Sequence, residues 1–211
     1  MHWRWNWTGK GFLWVWLLGV VGFAPVVALA QQDGGTRPMR ATSVHTLVGG
    51  RVRIQFTDAF RGYLRRAHVA YDTVGASAAD GDAVTLPVAD GLLDLASGRG
   101  TAVWRGGLAL ETPKADVELR GFRLDTVGKL PLVWATLVTE GELDRTVPLF
   151  TATLPSEQLP LRLIGGRVTT LRNVELRLTA EGALLLNQLS EREIFSSNQM
   201  VGLVNLIAIV E

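Results

Sequence analysis

The side chains with the most distinctive chemistry in this sequence are concentrated between residues 57 and 71. This stretch holds both tyrosines, one of the three histidines and several arginines: Tyr63, Tyr71, His68, Arg61, Arg65 and Arg66. Phenol and imidazole groups can act as ligands, and guanidinium groups pair with anions. An aromatic residue on the inward face of an amphipathic helix is, however, usually a core residue with its hydroxyl at the rim. Tyr63 therefore has two interpretations, packing and ligand binding.

No catalytic motif accompanies these residues. Beyond the first thirty residues the only histidines are His45 and His68, and no Gly-x-Ser-x-Gly motif presents a nucleophile. No glycine-rich phosphate loop precedes a helix. The sequence has no cysteine, which excludes thiolate chemistry and disulfide bonds. We therefore predict a protein that is not an enzyme and has no catalytic residues; a hydrolase is the third hypothesis and has no positive support.

Metal-binding patterns are also missing from the sequence. No pair of histidines has the spacing of a zinc site. Four aspartates beside turns could gather around calcium: Asp80, Asp82, Asp90 and Asp94. Their spacing matches no standard calcium loop, and acids beside glycine usually mark solvated turns. We predict no metal site.

The first thirty residues have the pattern of a secretory signal peptide. Arg4 and Lys10 precede an apolar run from Phe12 to Phe23, and Ala28-Leu29-Ala30 provides small residues for cleavage after Ala30. An uncleaved anchor is the alternative, although the nineteen residues from Phe12 to Ala30, interrupted by Pro25, are near the lower limit for spanning a bilayer. We expect a secreted, cell-surface or periplasmic protein with no stable membrane insertion after cleavage.

The chain after Ala30 is close to neutral. The whole sequence has a formal net charge of +1, and the leader removes two basic residues and no acid, which leaves −1. Bulk charge therefore argues against binding to nucleic acid or to an anionic membrane surface. Residues 31–41 are polar and glycine-rich, which is typical of a flexible tail. Residues 42–211 are long enough for a single domain with a substantial core.

Short strands dominate the pattern of this domain. Between Gly100 and Thr126 apolar and polar residues alternate with a period of two, and the apolar parity shifts at Gly121, which predicts a β-bulge. Gly49-Gly50, Asp90-Gly91 and Gly106-Gly107 are predicted hairpin turns. The nearly continuous apolar run from Met200 to Val210 predicts a central strand.

Two short helices interrupt the strands. The first runs from Thr57 to Ala67, and Thr57 or Asp58 can cap it. Thr179 can cap the second, from Ala180 to Leu189, with Gly182 as a weak point in its first turn. The predicted fold class is therefore mainly β, an antiparallel β-sandwich or partly open barrel with two short helices.

Three segments, in order, resemble the HtaA-type haem-transport domain of secreted and surface actinobacterial proteins. Ala59-Phe60-Arg61-Gly62-Tyr63 resembles the family's Ser/Ala-Phe-Arg-x-Tyr motif, which follows its first strand. Thr101 to Leu110 is similar to its core hairpin. Val174 to Asn187, with Leu178-Thr179-x-x-Gly182-Ala183, is similar to its C-terminal segment. The resemblance runs loosely over residues 51 to 190, and the later segments also resemble a broader set of uncharacterised secreted bacterial β proteins.

The resemblance implies haem as the ligand and Tyr63 as the ligand of the haem iron. Arg61, Arg65 or Arg66 would then stabilise the phenolate or pair with the haem propionates. Where the family has a Gly-His pair in its core hairpin, this chain has Arg105, which takes the place of the histidine expected to support the tyrosine. Tyr71 and His68 are the fallback ligands.

The sequence leaves two functions in competition. The first is a secreted module that binds haem, or a similar flat hydrophobic ligand, through the first helix and the adjoining sheet. The second is a secreted β-sandwich that associates with a cell-surface protein or another protein partner and takes no small molecule.

Overall fold

The computed structural model describes residues 43–211. The predicted leader and tail lie outside the described residues. Eleven strands and two α-helices follow in the order β1 (Val44–Phe56), α1 (Asp58–Arg66), β2 (Ala70–Val74), β3 (Ala78–Asp80), β4 (Ala83–Asp94), β5 (Arg99–Trp104), β6 (Gly107–Glu111), β7 (Val117–Asp125), β8 (Leu132–Thr139), β9 (Arg145–Thr153), β10 (Val168–Leu178), α2 (Ala180–Ser190) and β11 (Met200–Val210). A 3₁₀ turn, Ser156–Gln158, lies between β9 and β10.

Eight of the strands form a closed antiparallel barrel. Their order is β7-β5-β4-β1-β11-β10-β9-β8, and β8 pairs with β7, which completes the circle. Strand β6 continues along β7 and carries β2 on its other side, and β3 pairs with β4. The predicted class, mainly β and antiparallel with two short helices, is confirmed. Closure leaves the eight barrel strands without free edges.

The barrel interior is filled by apolar side chains from alternate positions of the strands. Val52 and Ile54 of β1, Leu86 of β4, Phe122 of β7 and Leu206 of β11 are among the buried residues. Each fully buried side chain of this kind contributes about 1.5–3 kcal/mol relative to an exposed one. Because the chain has no disulfide bond, this burial is its main source of stability.

Several glycines that are predicted to form hairpin turns do not reverse the chain. They lie inside one strand, or between two strands that run in the same direction. Gly49 and Gly50 belong to β1, with a bulge between Leu47 and Gly49, and a Cβ on Gly50 would come 2.1 Å from the Ile207 carbonyl oxygen. Gly91 likewise lies inside β4. These glycines allow neighbouring backbones to approach closely, a role that the sequence pattern does not distinguish from a turn.

The meander from Gly100 to Thr126 shows one correct and one wrong prediction. The register of β7 on β8 shifts between Arg120 and Arg123, and Gly121 has φ +59°, which confirms the predicted bulge. The predicted hairpin turn at Gly106-Gly107 is wrong, because β5 and β6 both pair with β7 in the same direction and the chain only bends between them.

The connections between strands define two ends of the barrel. The helical end carries α1, α2 and the turns at residues 112–116 and 140–144. The opposite end, which we name the rim, contains Ser43, Glu211 and the loops 95–98, 126–131 and 154–167. Leu95 donates its backbone N–H to Ser43 and accepts one from Leu161, so these loops are hydrogen-bonded to each other.

Candidate functional site

Helix α1 starts directly after β1. Thr57 has an extended backbone, and its Oγ1 accepts a hydrogen bond from the Phe60 N–H at 3.1 Å, so Thr57 is the cap of the two that the sequence allowed. Asp58 lies in the first turn and two arginines lie in the last, which is the favourable arrangement of charge for the helix dipole.

The inner face of α1 is fixed by aromatic packing. Phe60 and Leu64 are buried, and the Phe60 ring lies 5.8 Å from the ring of Phe56 and 6.1 Å from that of Phe195. These contacts hold the helix against the helical end of the barrel. Its other face points toward solvent and carries the candidate binding residues.

A stripe of four residues runs along this outer face with the spacing i, i+3, i+4 and i+7: Ala59, Gly62, Tyr63 and Arg66. Together with Arg65 they line an open depression of about 550 Å³. We name these five residues the α1 platform.

Tyr63 is the central side chain of the α1 platform. It is half-buried, packs partly against the core and lines the depression. The guanidinium carbon of Arg66 lies 4.5 Å from the centre of its ring, within the range of a cation–π contact. The structure thus places an accessible phenol beside a cation.

Gly62 keeps the platform flat beside Tyr63. A Cβ at this position would find only Arg65 Nη2, at 3.9 Å, as its nearest neighbour. Glycine is not required here by close packing, yet it costs about 1 kcal/mol relative to alanine inside a helix. With the exposed Ala59 one turn earlier, it leaves a floor of small residues that a planar molecule could lie on.

Arg61 is engaged away from the α1 platform. Its guanidinium donates to Asp58, and its Nη2 lies 3.7 Å from Asp82 Oδ2. The hydrogen bond to Asp58 is the main cause that raises the pKa of Arg61. Of the three arginines predicted to serve the ligand, Arg65 and Arg66 line the depression and Arg61 does not.

Tyr71 has a different environment from Tyr63. Its ring meets Phe56 edge-on at 5.1 Å, and with Phe60 and Leu64 it lines an internal apolar cavity of about 40 Å³. Burial raises the pKa of the Tyr71 phenol, and the charge of Arg61 offsets part of this rise. Tyr71 is half-buried, as Tyr63 is, and its other side lines an open depression beside β6 and β7.

The two remaining candidates lie at chain connections. His68 is exposed in the turn after α1 with a left-handed φ of 55°, and its N–H donates to the Arg65 carbonyl at 3.1 Å. Arg105 is exposed at the bend between β5 and β6, where its N–H donates to Pro87. Within residues 43–211, no hydrogen bond or cation–π contact joins Arg105 to Tyr63.

The sequence predicts Tyr63 and its arginines as binding residues but does not predict the floor of small residues beside them. The helical spacing of Ala59, Gly62, Tyr63 and Arg66 was the available signal. No cluster of three or more potential metal ligands occurs within residues 43–211. In the same part of the chain no helix has the length and apolar character needed to cross a membrane.

Comparisons with known proteins show that this chain is similar in fold to three solved structures. The sequence matches no family model and no curated protein. The C-terminal domain of HtaA from Corynebacterium glutamicum superposes with a TM-score of 0.59 at 11% identity, covering 79% of this chain and 99% of that domain. The N-terminal domain of HtaA gives a TM-score of 0.53 at 12% identity, covering 78% and 98%.

A third similar structure is the heme binding protein HtaB from Corynebacterium glutamicum. Its TM-score is 0.50 at 14% identity, and the match covers 80% of this chain and 95% of HtaB. The chain therefore has the HtaA-like fold, as the three resembling segments predicted.

Proposed function

We propose that this protein is an exported, non-enzymatic module that binds haem on the α1 platform, with Tyr63 as the iron ligand. The observation that carries the proposal is the platform itself, in which a phenol, a floor of small residues and two arginines share one helix face. Haem is planar, carries two carboxylates and offers a ferric iron that accepts a tyrosine ligand.

Each residue of the α1 platform has a distinct part in this proposal. The Tyr63 oxygen would bind the iron, and Ala59 and Gly62 would leave space for the ring. Arg65 and Arg66 are exposed and form no salt bridge within the described chain, so both are available for propionate carboxylates. The Arg66 guanidinium also lies 4.5 Å from the centre of the Tyr63 ring, which keeps a positive charge at the platform.

The comparisons support the same ligand. HtaB, which shares the fold, is named as a heme binding protein. The leader with its Ala28-Leu29-Ala30 cleavage pattern supports export, which would bring the module to ligands outside the cell. Binding, rather than turnover, is the role supported by this combination.

Titration of the purified exported chain with hemin tests the proposal. We expect a saturable shift of the Soret band that Tyr63→Phe removes, because phenylalanine keeps the ring and loses the oxygen. Tyr71→Phe is the matched control and should keep the shift, because Tyr71 packs at the internal cavity. Both variants should retain the far-ultraviolet circular dichroism of the parent.

Two results would contradict this assignment. A hemin titration without saturation would remove haem as the ligand and leave association with a protein partner as the better function. A Soret shift that survives in Tyr63→Phe and disappears in Tyr71→Phe would move the iron to the other tyrosine.

A further inference from the structure

The internal cavity beside Tyr71 lies on the opposite side of α1 from the α1 platform. It has a volume of about 40 Å³, and Phe60 and Leu64 line it from the inner face of the helix. Leucines of β6, β7, β10 and α2 line other sides of it, among them Leu110, Leu119, Leu178 and Leu186. The cavity is therefore surrounded by apolar side chains at the helical end of the barrel.

The chemistry of the lining disfavours water in this cavity. A buried water needs about 10–15 Å³ of such space, which the cavity provides, and about two to four polar partners. Tyr71 is the only lining residue whose side chain has a polar group, and the surface of the cavity is entirely apolar. Water that entered would have to give up its hydrogen bonds, whereas an apolar guest would gain dispersion contacts with the lining.

The volume of the cavity limits the size of such a guest. An engineered protein cavity of about 150 Å³, lined by leucine, isoleucine and phenylalanine, binds both benzene and xenon. The cavity beside Tyr71 has a similar lining and only about 40 Å³. It is therefore too small for benzene and suits a compact guest, such as a xenon atom or a diatomic molecule.

The wall of strands beside the cavity is interrupted. Strand β2 pairs with β6 and strand β3 pairs with β4, but in the part of the chain that the structure describes no pairing joins β2 to β3. Tyr71 lies on β2, and its ring meets that of Phe56 edge-on at 5.1 Å. The side of β2 that faces away from β6 is thus a free strand edge, and the Tyr71 side chain lies at it.

Tyr71 also separates the cavity from solvent. It is half-buried, whereas all the other residues that line the cavity are buried. The same residue lines the open depression beside β6 and β7, which has a volume of about 620 Å³. Rotation of this side chain would connect the depression with the cavity, and β2 could remain paired with β6 throughout.

We propose that this cavity is a binding site for a small apolar molecule of about the size of a dissolved diatomic gas, and that the guest enters beside Tyr71. Dispersion contacts with the apolar lining provide the affinity, and the volume of the cavity provides the selection by size. The site goes beyond the proposed binding of haem and does not depend on it, because it uses the inner face of α1 and the α1 platform uses the outer face.

Methyl NMR of the exported chain under xenon pressure tests the proposal. We expect saturable shift changes at leucine methyl groups that line the cavity, including those of Leu110, Leu119, Leu178 and Leu186. Leucines nearer the rim are the internal control, because the cavity that they line has only about 10 Å³ and should not admit xenon: Leu47, Leu93, Leu124 and Leu206. Benzene should cause no such changes in the parent protein.

Two substitutions of Leu119 change the cavity in opposite directions. Leu119→Phe adds carbon to the lining and should remove the shift changes that xenon causes. Leu119→Ala enlarges the cavity and should allow benzene to bind as well as xenon. If either variant fails to fold, the comparison of the two leucine sets in the parent still decides whether the site exists.

A second pair of variants tests the entry beside Tyr71. Tyr71→Ala removes the ring and should speed the exchange of xenon between the cavity and solvent, which xenon saturation-transfer NMR measures. Tyr71→Phe is the matched control and should keep the rate of the parent, because it keeps the ring. Equal rates in the parent and both variants would contradict entry at this residue.

Two results would overturn the binding site itself. One is a parent protein without saturable xenon shifts around Leu119, and the other is shifts of equal size in the two leucine sets. Hemin is absent from these experiments, so their outcome is separate from that of the hemin titration.

Discussion

Helices α1 and α2 begin in the same way and have different relations to the barrel. Each directly follows a barrel strand, and each is preceded by a threonine whose hydroxyl oxygen accepts a backbone N–H from the first turn. Each has a glycine within its first five residues, Gly62 and Gly182. Their local sequences are therefore alike in the features that start a helix.

The surroundings of the two glycines show how closely each helix packs against the barrel. A Cβ on Gly182 would come 2.3 Å from the Leu149 carbonyl oxygen, whereas one on Gly62 would have no atom closer than 3.9 Å. Helix α2 is pressed onto β9 and is buried along most of its length. Helix α1 touches the barrel with one side and exposes the other. A helix that is free on one side can offer a binding surface, and one that is packed closely serves the core.

The largest expected effect is on the free energy of unfolding, which alanine at Gly182 and alanine at Gly62 should change in opposite directions. Gly182→Ala should lower the free energy of unfolding by about 2 kcal/mol, because β9 must move to admit the methyl group. Gly62→Ala should raise it by about 0.5–1 kcal/mol, because alanine favours the helix and meets open space. Chemical denaturation of both variants measures the difference.

The critical outcome is whether Gly182→Ala lowers the free energy of unfolding while Gly62→Ala raises it. If Gly182→Ala is as stable as the parent protein, α2 does not pack onto β9 as closely as described. A further variant, Gly62→Leu, sharpens the comparison, since it should keep the stability of the helix and weaken hemin binding by filling the floor of the α1 platform.

A smaller difference is expected between the two threonine caps. Thr179 is buried, and its hydroxyl donates to the Pro148 carbonyl at 2.6 Å and accepts from the Gly182 N–H at 2.8 Å. Thr57 is half-buried and makes longer bonds, to Val201 at 3.3 Å and from Phe60 at 3.1 Å. Thr179→Ala should therefore cost about 2 kcal/mol and Thr57→Ala about 1 kcal/mol.

Serine at each position supplies the control for the caps. Thr179→Ser and Thr57→Ser keep the hydroxyl and should recover most of the stability lost in the alanine variants. Equal melting temperatures for Thr179→Ala and Thr57→Ala would show that burial of the α2 cap adds nothing to its hydrogen bonds.

The smallest expected effect concerns ionisation of the tyrosines at the two sides of α1. The chain has only two tyrosines, so Tyr63→Phe leaves Tyr71 as the single phenol. Burial raises the pKa of Tyr71, and its phenolate absorbance should therefore develop above the ordinary value of 10.0. An alkaline absorbance titration of this variant measures the midpoint, and a midpoint below that value would contradict the burial of Tyr71.

The same shift predicts the direction of a stability change with pH. The folded pKa of Tyr71 is above the unfolded one, so its contribution is fully present below pH 10.0 and is lost as the pH rises through the folded pKa. Tyr71→Phe should accordingly show a shallower loss of stability in this alkaline range than the parent does.

Much of the secondary structure could be predicted from local patterns. Both helices, their threonine caps, the bulge at Gly121 and the central strand at Met200–Val210 follow from periodicity and turn chemistry. The pattern failed at Gly49-Gly50 and Gly106-Gly107, because a glycine that ends a strand and one that admits a neighbouring backbone look the same in sequence.

The candidate site was predicted only in part. The helix, Tyr63 and its arginines lie within a few residues of each other, so their grouping is a local property. The direction of Arg61 toward Asp82, and the absence of a contact between Arg105 and Tyr63 within the described chain, depend on where distant strands meet. The environment of Tyr71 likewise depends on its contact with Phe56 of β1.

By itself, the amino-acid sequence determined the class of fold, the two helices and the identity of the residues that could bind a ligand, because these depend on neighbours along the chain. Closure of the barrel, the different surroundings of the two tyrosines and the concentration of exposed apolar side chains near the rim were decided by the tertiary structure. They arise when β8 pairs with β7 and β1 with β11, which brings together residues that are far apart in sequence.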